Sequence, residues 1–154
     1  MLTVNDLTQL VGLRNWDKEL NLWVGSEHPL RSALDGVQTE SLDLLDLFDP
    51  NQLPIDDDDV RQHIAKSLRQ RLKAVPRPTG RRIALLVKSV GLLARYRVGV
   101  SEFYNLFCDD FSMVFLLIEG RCTEAHWPDE VDCDPDRLIE YFSESTMTKQ
   151  QFGV

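Results

Sequence analysis

The sequence lacks the features of a secreted, disulfide-bonded, zinc-binding or membrane-spanning protein. Its three cysteines, Cys108, Cys122 and Cys133, are odd in number and form neither a Cys-x-x-Cys pair nor a Cys/His set. This pattern predicts reduced thiols and no zinc site. No apolar run reaches the ~20 residues of a membrane span, and the first ten residues lack the basic start and apolar core of a signal peptide. We therefore expect a soluble cytoplasmic protein without a bound metal or other cofactor.

The residues with which nucleotide hydrolases hold phosphate and magnesium are also missing. Gly25 follows an apolar stretch, but no Gly-x-x-x-x-Gly-Lys-Ser/Thr motif is present, and residues 29–31 stand where its lysine would be. A second apolar stretch ends in Lys88 and Ser89 instead of the acid that holds the metal. The pattern favours an ordinary strand-to-helix turn at Gly25, with weak anion binding by Arg31 or Ser32 as the alternative.

The stretch from Arg81 to Gly120 is the part around which the chain is organised. Its two apolar runs, Ile83–Val87 and Met113–Ile118, do not alternate with polar residues, which is typical of strands buried on both faces of a parallel sheet. A helical pattern, Val100–Cys108, lies between them, with Ser101 as its expected cap. This order predicts a β–α–β unit at the centre of the core.

Further elements follow from apolar spacing and turn residues. They are a helix after Thr3 or Asn5, a strand at Glu19–Val24, a helix at Leu30–Leu34, a strand at Ser41–Phe48, and a strand or short helix at Arg137–Phe142. The whole predicts an α/β protein with three layers and a mostly parallel sheet of four to five strands, similar to a degenerate P-loop or Rossmann-like fold. We assign residues 1–142 to one domain and residues 143–154 to a polar C-terminal tail.

The clearest helix is predicted at Val60–Val75, directly after the four aspartates Asp56–Asp59. Side-chain oxygens at this place accept hydrogen bonds from free N–H groups, and negative charge suits the helix start, so capping is favoured over magnesium binding. His63 lies off the apolar stripe and is expected to face solvent. The other acidic groups, at 43, 46, 49, 109 and 110, have no recognisable partner set for a metal.

Charge is divided unevenly along the chain. Residues 61–97 hold eleven Lys or Arg and no acid, while the remainder holds six basic and twenty-five acidic residues. One interpretation is internal charge complementarity, and the other is a basic patch that meets nucleic acid or an acidic partner. The candidate partner- or nucleic-acid-binding residues are Arg61, Lys66, Arg69, Arg71, Lys73, Arg81, Arg82, Arg95, Tyr96 and Arg97.

Three stretches carry a resemblance to a known family: LNLWVGSEHPLRSAL, IALLVKSVGLLARY and MVFLLIEG. In length and pattern the chain resembles the small accessory proteins encoded in BREX-type phage-exclusion operons, over about Leu20–Phe142. It departs from the nucleotide-binding members in lacking the phosphate-binding lysine and the acid at the strand end. The resemblance implies a non-catalytic subunit that supports a larger ATPase, methyltransferase or nuclease in defence against phage.

Two functions therefore remain from the sequence. The first is an accessory or scaffold subunit that acts by protein–protein interaction, with no catalytic residues of its own and with DNA as a second contact. The alternative is a nucleic-acid-binding protein that uses the basic 61–97 region, although the net charge of −8 opposes it. A nucleotide hydrolase or metal-dependent nuclease is the least favoured class.

Overall fold

The protein is a three-layer α/β sandwich, described here from a computed structural model. The structure describes residues 3–12, 20–49, 51, 56–76, 81–106, 112–119, 134–143 and 148–153. The strands are β1 Leu20–Val24, β2 Gln38–Asp43, β3 Ile83–Lys88, β4 Ser112–Ile118 and β5 Thr148–Gly153. The helices are α1 Val4–Val11, α2 Glu27–Ala33, α3 Asp57–Ala74, α4 Gly91–Arg95, α5 Ser101–Leu106 and α6 Pro135–Ser143, with a 3-10 turn at Leu44–Leu47.

The five strands form one sheet in the order β2-β3-β4-β1-β5, and every pairing is parallel. Strands β3 and β4 are neighbours joined through α4 and α5, which confirms the predicted β–α–β unit. All residues of β4 are buried, as are the first five of β3. Continuous burial explains why these strands show no alternation of polar and apolar residues.

Two hydrophobic clusters cover the two faces of the sheet. Leu20 and Leu22 of β1 belong to the larger cluster, with apolar residues of α3, α4, α5 and α6. Trp23 points to the other face, where α1 and α2 pack. Successive residues of a strand face opposite sides, so both sides of β1 are buried.

Thr3, one of the two caps predicted for α1, is its cap, while α3 begins at Asp57, three residues before the predicted Val60. Thr3 caps α1 reciprocally, since its hydroxyl accepts from the Asp6 N–H at 3.3 Å and the Asp6 carboxylate accepts from the Thr3 N–H at 2.7 Å. Asp56 caps α3 by accepting from the Asp59 N–H at 2.8 Å. The buried stripe of α3 consists of Val60, Ile64, Leu68 and Leu72.

Several boundaries differ from the predictions. Strand β2 starts three residues before Ser41 and ends at Asp43, because the apolar run after it forms the 3-10 turn. The segment predicted as strand or helix at Arg137–Phe142 is helix α6, which buries Leu138 and Phe142. Ser101 is the first residue of α5 and not its cap, since the Val100 carbonyl accepts the first hydrogen bonds. Phe107, Cys108, Cys122 and Cys133 lie outside the described residues.

The predicted polar tail contains a strand. Residues Thr148–Gly153 form β5, which pairs with β1 and lies at one edge of the sheet. An edge strand needs backbone hydrogen bonds on one side only and can be polar, so no apolar run marked it. The register of the pairing between β1 and β5 shifts once, between residues Leu20 and Asn21 of β1.

His63 does not face solvent, contrary to the prediction. It is half-buried, one ring nitrogen lies 2.6 Å from the Leu47 carbonyl oxygen, and its ring centroid lies 5.1 Å from that of Phe48. The 3-10 turn folds back over α3 and covers this side of the helix, which the period of α3 alone does not indicate.

Candidate functional site at the carboxyl edge of the sheet

The carboxyl ends of the parallel strands define the candidate site. In open α/β sheets, ligands bind at this edge where connections from neighbouring strands leave on opposite faces. Strands β1 and β4 are neighbours, but α2 follows β1 on one face and α6 follows β4 on the other. The turn after β1 therefore lies at the switch point of the topology.

The β1 turn is held on both sides. Gly25 continues the ladder, since its N–H donates to the Ile118 carbonyl at 2.9 Å, and its φ of 133° is one that side-chain-bearing residues rarely adopt. The buried Trp23 donates its indole N–H to the Ser26 carbonyl at 2.7 Å. Glycine and a buried aromatic anchor together set the direction in which α2 leaves the sheet.

One carboxylate and two cations occupy the edge beside this turn. Glu27, in the first turn of α2, accepts from Lys88 Nζ at 2.9 Å and from Arg31 at 2.8 Å. Arg31 also donates to the Ser41 hydroxyl of β2 at 2.7 Å. We call Glu27, Arg31 and Lys88 the carboxyl-edge cluster; it links α2 with β2 and β3.

The carboxyl-edge cluster keeps Glu27 ionised. Burial alone raises the pKa of Glu27, but hydrogen bonds from Lys88 and Arg31, with their positive charges, outweigh it and hold the pKa below its usual value. Each cation therefore has a carboxylate partner inside the chain. Arg31, the predicted weak anion ligand, is engaged in this way, and Ser32 is exposed.

A second polar link joins β2 and β3 at the same edge. The Ser89 hydroxyl donates to the Asp43 carboxylate at 2.6 Å, and the same oxygen accepts from the Leu45 N–H at 3.0 Å. Ser89 has a φ of 60°, a left-handed conformation that is strained for a serine. The hydrogen bond to Asp43 holds the strained turn between β3 and α4 in place.

The predicted basic residues do not form one patch. Arg61 donates to the Tyr96 carbonyl at 2.8 Å, and Arg95 pairs with Asp57 at 3.2 Å while lying 4.8 Å from the centre of the Tyr96 ring. Tyr96 itself is buried and belongs to the larger core cluster. The structure thus brings together Arg61, Arg95 and Tyr96, but as an intramolecular contact between α3 and α4.

The other candidates lie apart from this group. Arg69 pairs with Glu102 of α5 at 2.8 Å, and Arg71 contacts the Asp46 carbonyl at 3.5 Å. Arg82 donates to the Val11 carbonyl at the end of α1. The remaining four are exposed and make no hydrogen bond or ion pair with other described residues: Lys66, Lys73, Arg81 and Arg97. Of the eleven basic residues of 61–97, four form ion pairs with carboxylates in the described part of the chain: Arg61, Arg69, Lys88 and Arg95.

The pairing of Glu27 with Lys88 was not predicted from the sequence. Two signals point to it: an acid just after the β1 turn, and a lysine at the end of β3, where a nucleotide hydrolase has a metal-holding acid. Both strands end at the same edge, so these charges meet. The order of the strands in the sheet, which the sequence does not show, brings Glu27 and Lys88 together.

Comparisons with protein-family models, curated proteins and solved structures gave no match. Within the described ranges, no group of three or more His, Cys, Asp or Glu is placed to hold a metal ion. The same ranges contain no helix that is both long and apolar enough to cross a bilayer. The site is therefore interpreted from its own geometry.

Proposed function

We propose that the protein is a non-catalytic accessory subunit that binds a larger protein of the same system, an ATPase, methyltransferase or nuclease, in the cytoplasm. Defence against phage is the setting that the resemblance to BREX-type accessory proteins suggests. The observation that supports this proposal is the carboxyl-edge cluster. Its three side chains satisfy one another where a nucleotide-binding relative would hold phosphate.

The carboxylate of Glu27 opposes phosphate binding at this edge. A phosphate approaching the β1 turn meets a carboxylate of its own sign, since the low pKa of Glu27 keeps it charged at neutral pH. The cations that would attract phosphate, Lys88 and Arg31, are already paired with that carboxylate. Binding a phosphate here requires breaking two ion pairs, so this edge favours a structural role over nucleotide hydrolysis.

Nucleotide binding tests the non-catalytic part of the proposal. We expect ATP with magnesium to leave the melting temperature unchanged at millimolar concentration. A ligand at 100 times its dissociation constant would add about 2.7 kcal/mol of stability, which is easily measured. Such a shift, lost in a Lys88→Gln variant and kept in a Lys66→Gln variant, would contradict the proposal.

Reconstitution tests the accessory part. The chain is co-expressed with the ATPase, methyltransferase or nuclease encoded beside it, and the mixture is analysed by size-exclusion chromatography with light scattering. We expect a stable complex of defined stoichiometry, in which a contiguous set of backbone amides of this chain exchanges more slowly with solvent than in the chain alone. Elution of the chain alone in the presence of every such subunit would refute it.

A second function, nucleic-acid binding, is favoured by one observation. Lys66 and Lys73 lie exposed on α3 and have no hydrogen-bond or ion-pair partner in the described part of the chain. We expect any such binding to weaken steeply with salt, with a slope set by the phosphates neutralised. An electrophoretic shift at low salt, abolished by Lys66→Gln with Lys73→Gln, would support this function; no shift at low salt would remove it.

A further inference from the structure

An open cavity of about 480 Å³ lies at the opposite end of the sheet from the carboxyl-edge cluster. It is bounded by the C-terminal end of α1, the α2–β2 loop, the first residue of β2 and the two residues before β3. Small-molecule sites are typically concave spaces of about 300–1,000 Å³. The lining residues are Val11, Asp35, Gly36, Val37, Gln38, Arg81 and Arg82.

Two guanidinium groups give the cavity its main charge. Arg82 is half-buried and held by the Val11 carbonyl, which sets its position. Arg81 is exposed and makes neither a hydrogen bond nor an ion pair with other described residues. The Arg82 guanidinium is therefore fixed by the fold, and the N–H donors of Arg81 are available to a ligand. Guanidinium donors match the geometry of carboxylate and phosphate oxygens.

The remaining lining residues indicate the polarity and size of the part of a ligand that does not contact the guanidinium groups. Val11 and Val37 are half-buried and supply apolar surface, while the Asp35 carboxylate offers the opposing charge. Gly36 has a φ of 84° and open space where a side chain would begin, so the loop leaves the cavity accessible. We propose that this cavity binds a small organic anion, a carboxylate or a phosphate monoester with a compact apolar body, through Arg81. The proposal does not depend on the accessory role.

Titration of the full chain with phenyl phosphate, benzoate, inorganic phosphate and benzyl alcohol, followed by amide NMR, tests the proposal. Phenyl phosphate or benzoate is expected to shift the amide signals of Gly36, Val37 and Gln38. The ligand that binds more tightly shows whether the cavity prefers a phosphate or a carboxylate. Benzyl alcohol is expected to leave these signals unchanged, since it has no charge. Inorganic phosphate binding as tightly as phenyl phosphate would overturn the proposed class of ligand.

Two variants with opposite effects distinguish binding in this cavity from non-specific attraction of anions to positive charge. Arg81→Gln is expected to weaken binding at least about tenfold, the loss of one charge-assisted hydrogen bond, while Asp35→Asn tightens it. Arg137→Gln on α6 removes the same charge from another surface and is expected to change binding less than about twofold. Absence of binding by both organic anions at 10 mM would overturn the proposal. Equal effects of Arg81→Gln and Arg137→Gln would do the same.

Discussion

Glu27 and Lys88 are the two side chains that most distinguish the carboxyl edge of this sheet from a phosphate-binding one. The acid stands at the start of α2 and the lysine at the end of β3, 2.9 Å apart. A nucleotide hydrolase has a metal-holding acid where Lys88 stands, and the Glu27 carboxylate opposes a phosphate at the start of α2. With a lysine paired to a glutamate here, the edge is stabilised by the chain's own ion pairs.

The charge of Glu27 makes stability depend on pH. Its folded pKa lies below the unfolded value of 4.5, so its ionisation stabilises the fold above that pH and the contribution is lost as pH falls through the folded pKa. Glu27→Gln is expected to lower stability at pH 7 by roughly 0.2–1 kcal/mol for each ion pair. In urea titrations, the difference from wild type is expected to shrink towards pH 3.

Glu40→Gln is the matched control, because Glu40 carries the same charge on β2 and forms no ion pair with another described residue. It is expected to change stability little at either pH. A Glu27→Gln variant whose deficit stays constant from pH 7 to pH 3 would contradict the role of the ionised carboxylate.

A substitution at Asn21 is expected to change the free energy of unfolding measurably. It is fully buried in β1, and neither its amide nitrogen nor its amide oxygen has a hydrogen-bond partner among the described residues. An unsatisfied buried polar group costs about 1–3 kcal/mol, and leucine has a similar branched shape. Asn21→Leu is therefore expected to raise the free energy of unfolding, measured in urea, by about that amount.

Asn105→Leu on the exposed side of α5 serves as the comparison, and we expect it to be close to neutral. Destabilisation by Asn21→Leu would contradict the expected gain in stability, since it would mean that the buried amide makes a stabilising interaction within the fold.

At the scale of elements, α3 shows how acidic and basic groups are divided. The run Asp56–Asp59 supplies the cap at Asp56 and ion-pair partners at Asp57 and Asp58 for arginines of α4 and α3. The helix thus starts with negative charge and ends with Arg71 and Lys73, both of which suit its dipole. Part of the charge asymmetry in the sequence is a property of this one helix.

The cap of α3 can be tested directly. Asp56→Ala removes the acceptor of the Asp59 N–H and is expected to lower the free energy of unfolding by about 1 kcal/mol. Asp58→Ala removes an equal charge from an exposed side chain whose contact with Arg61 is long, at 3.7 Å, and is expected to have a smaller effect. Equal losses in chemical denaturation would show that charge, and not the cap, is responsible.

At the scale of the whole molecule, β5 completes the sheet beside β1. Without it, β1 would present an unpaired backbone edge, and such edges promote association with other chains. A chain ending at Ser143 is expected to be less stable, since each backbone hydrogen bond contributes about 0.5–1.5 kcal/mol. It is also expected to form concentration-dependent oligomers in light scattering.

A chain ending at Gly153 keeps the whole of β5 and provides the control, with stability and mass expected to match those of the full chain. If the chain ending at Ser143 remained monomeric with an unchanged unfolding transition, the pairing of β5 with β1 would contribute nothing to stability.

The sequence by itself determined the features that depend on short spacing. Continuous apolar runs identify β3 and β4, the aspartates before Val60 identify the start of α3, and the missing phosphate-binding motif is visible directly. The α/β class with a parallel sheet follows from these patterns, since buried parallel strands and capped amphipathic helices each have a local signature.

Only the tertiary structure decided which distant residues meet. The pairing of Glu27 with Lys88, the contact of Arg61 with Tyr96 and the cavity beside Arg81 each join segments far apart in the chain. Strand β5 was likewise invisible, because a polar edge strand is stabilised by the backbone of β1 and needs no apolar pattern of its own. Such contacts depend on the order of strands in the sheet, which local periodicity does not specify.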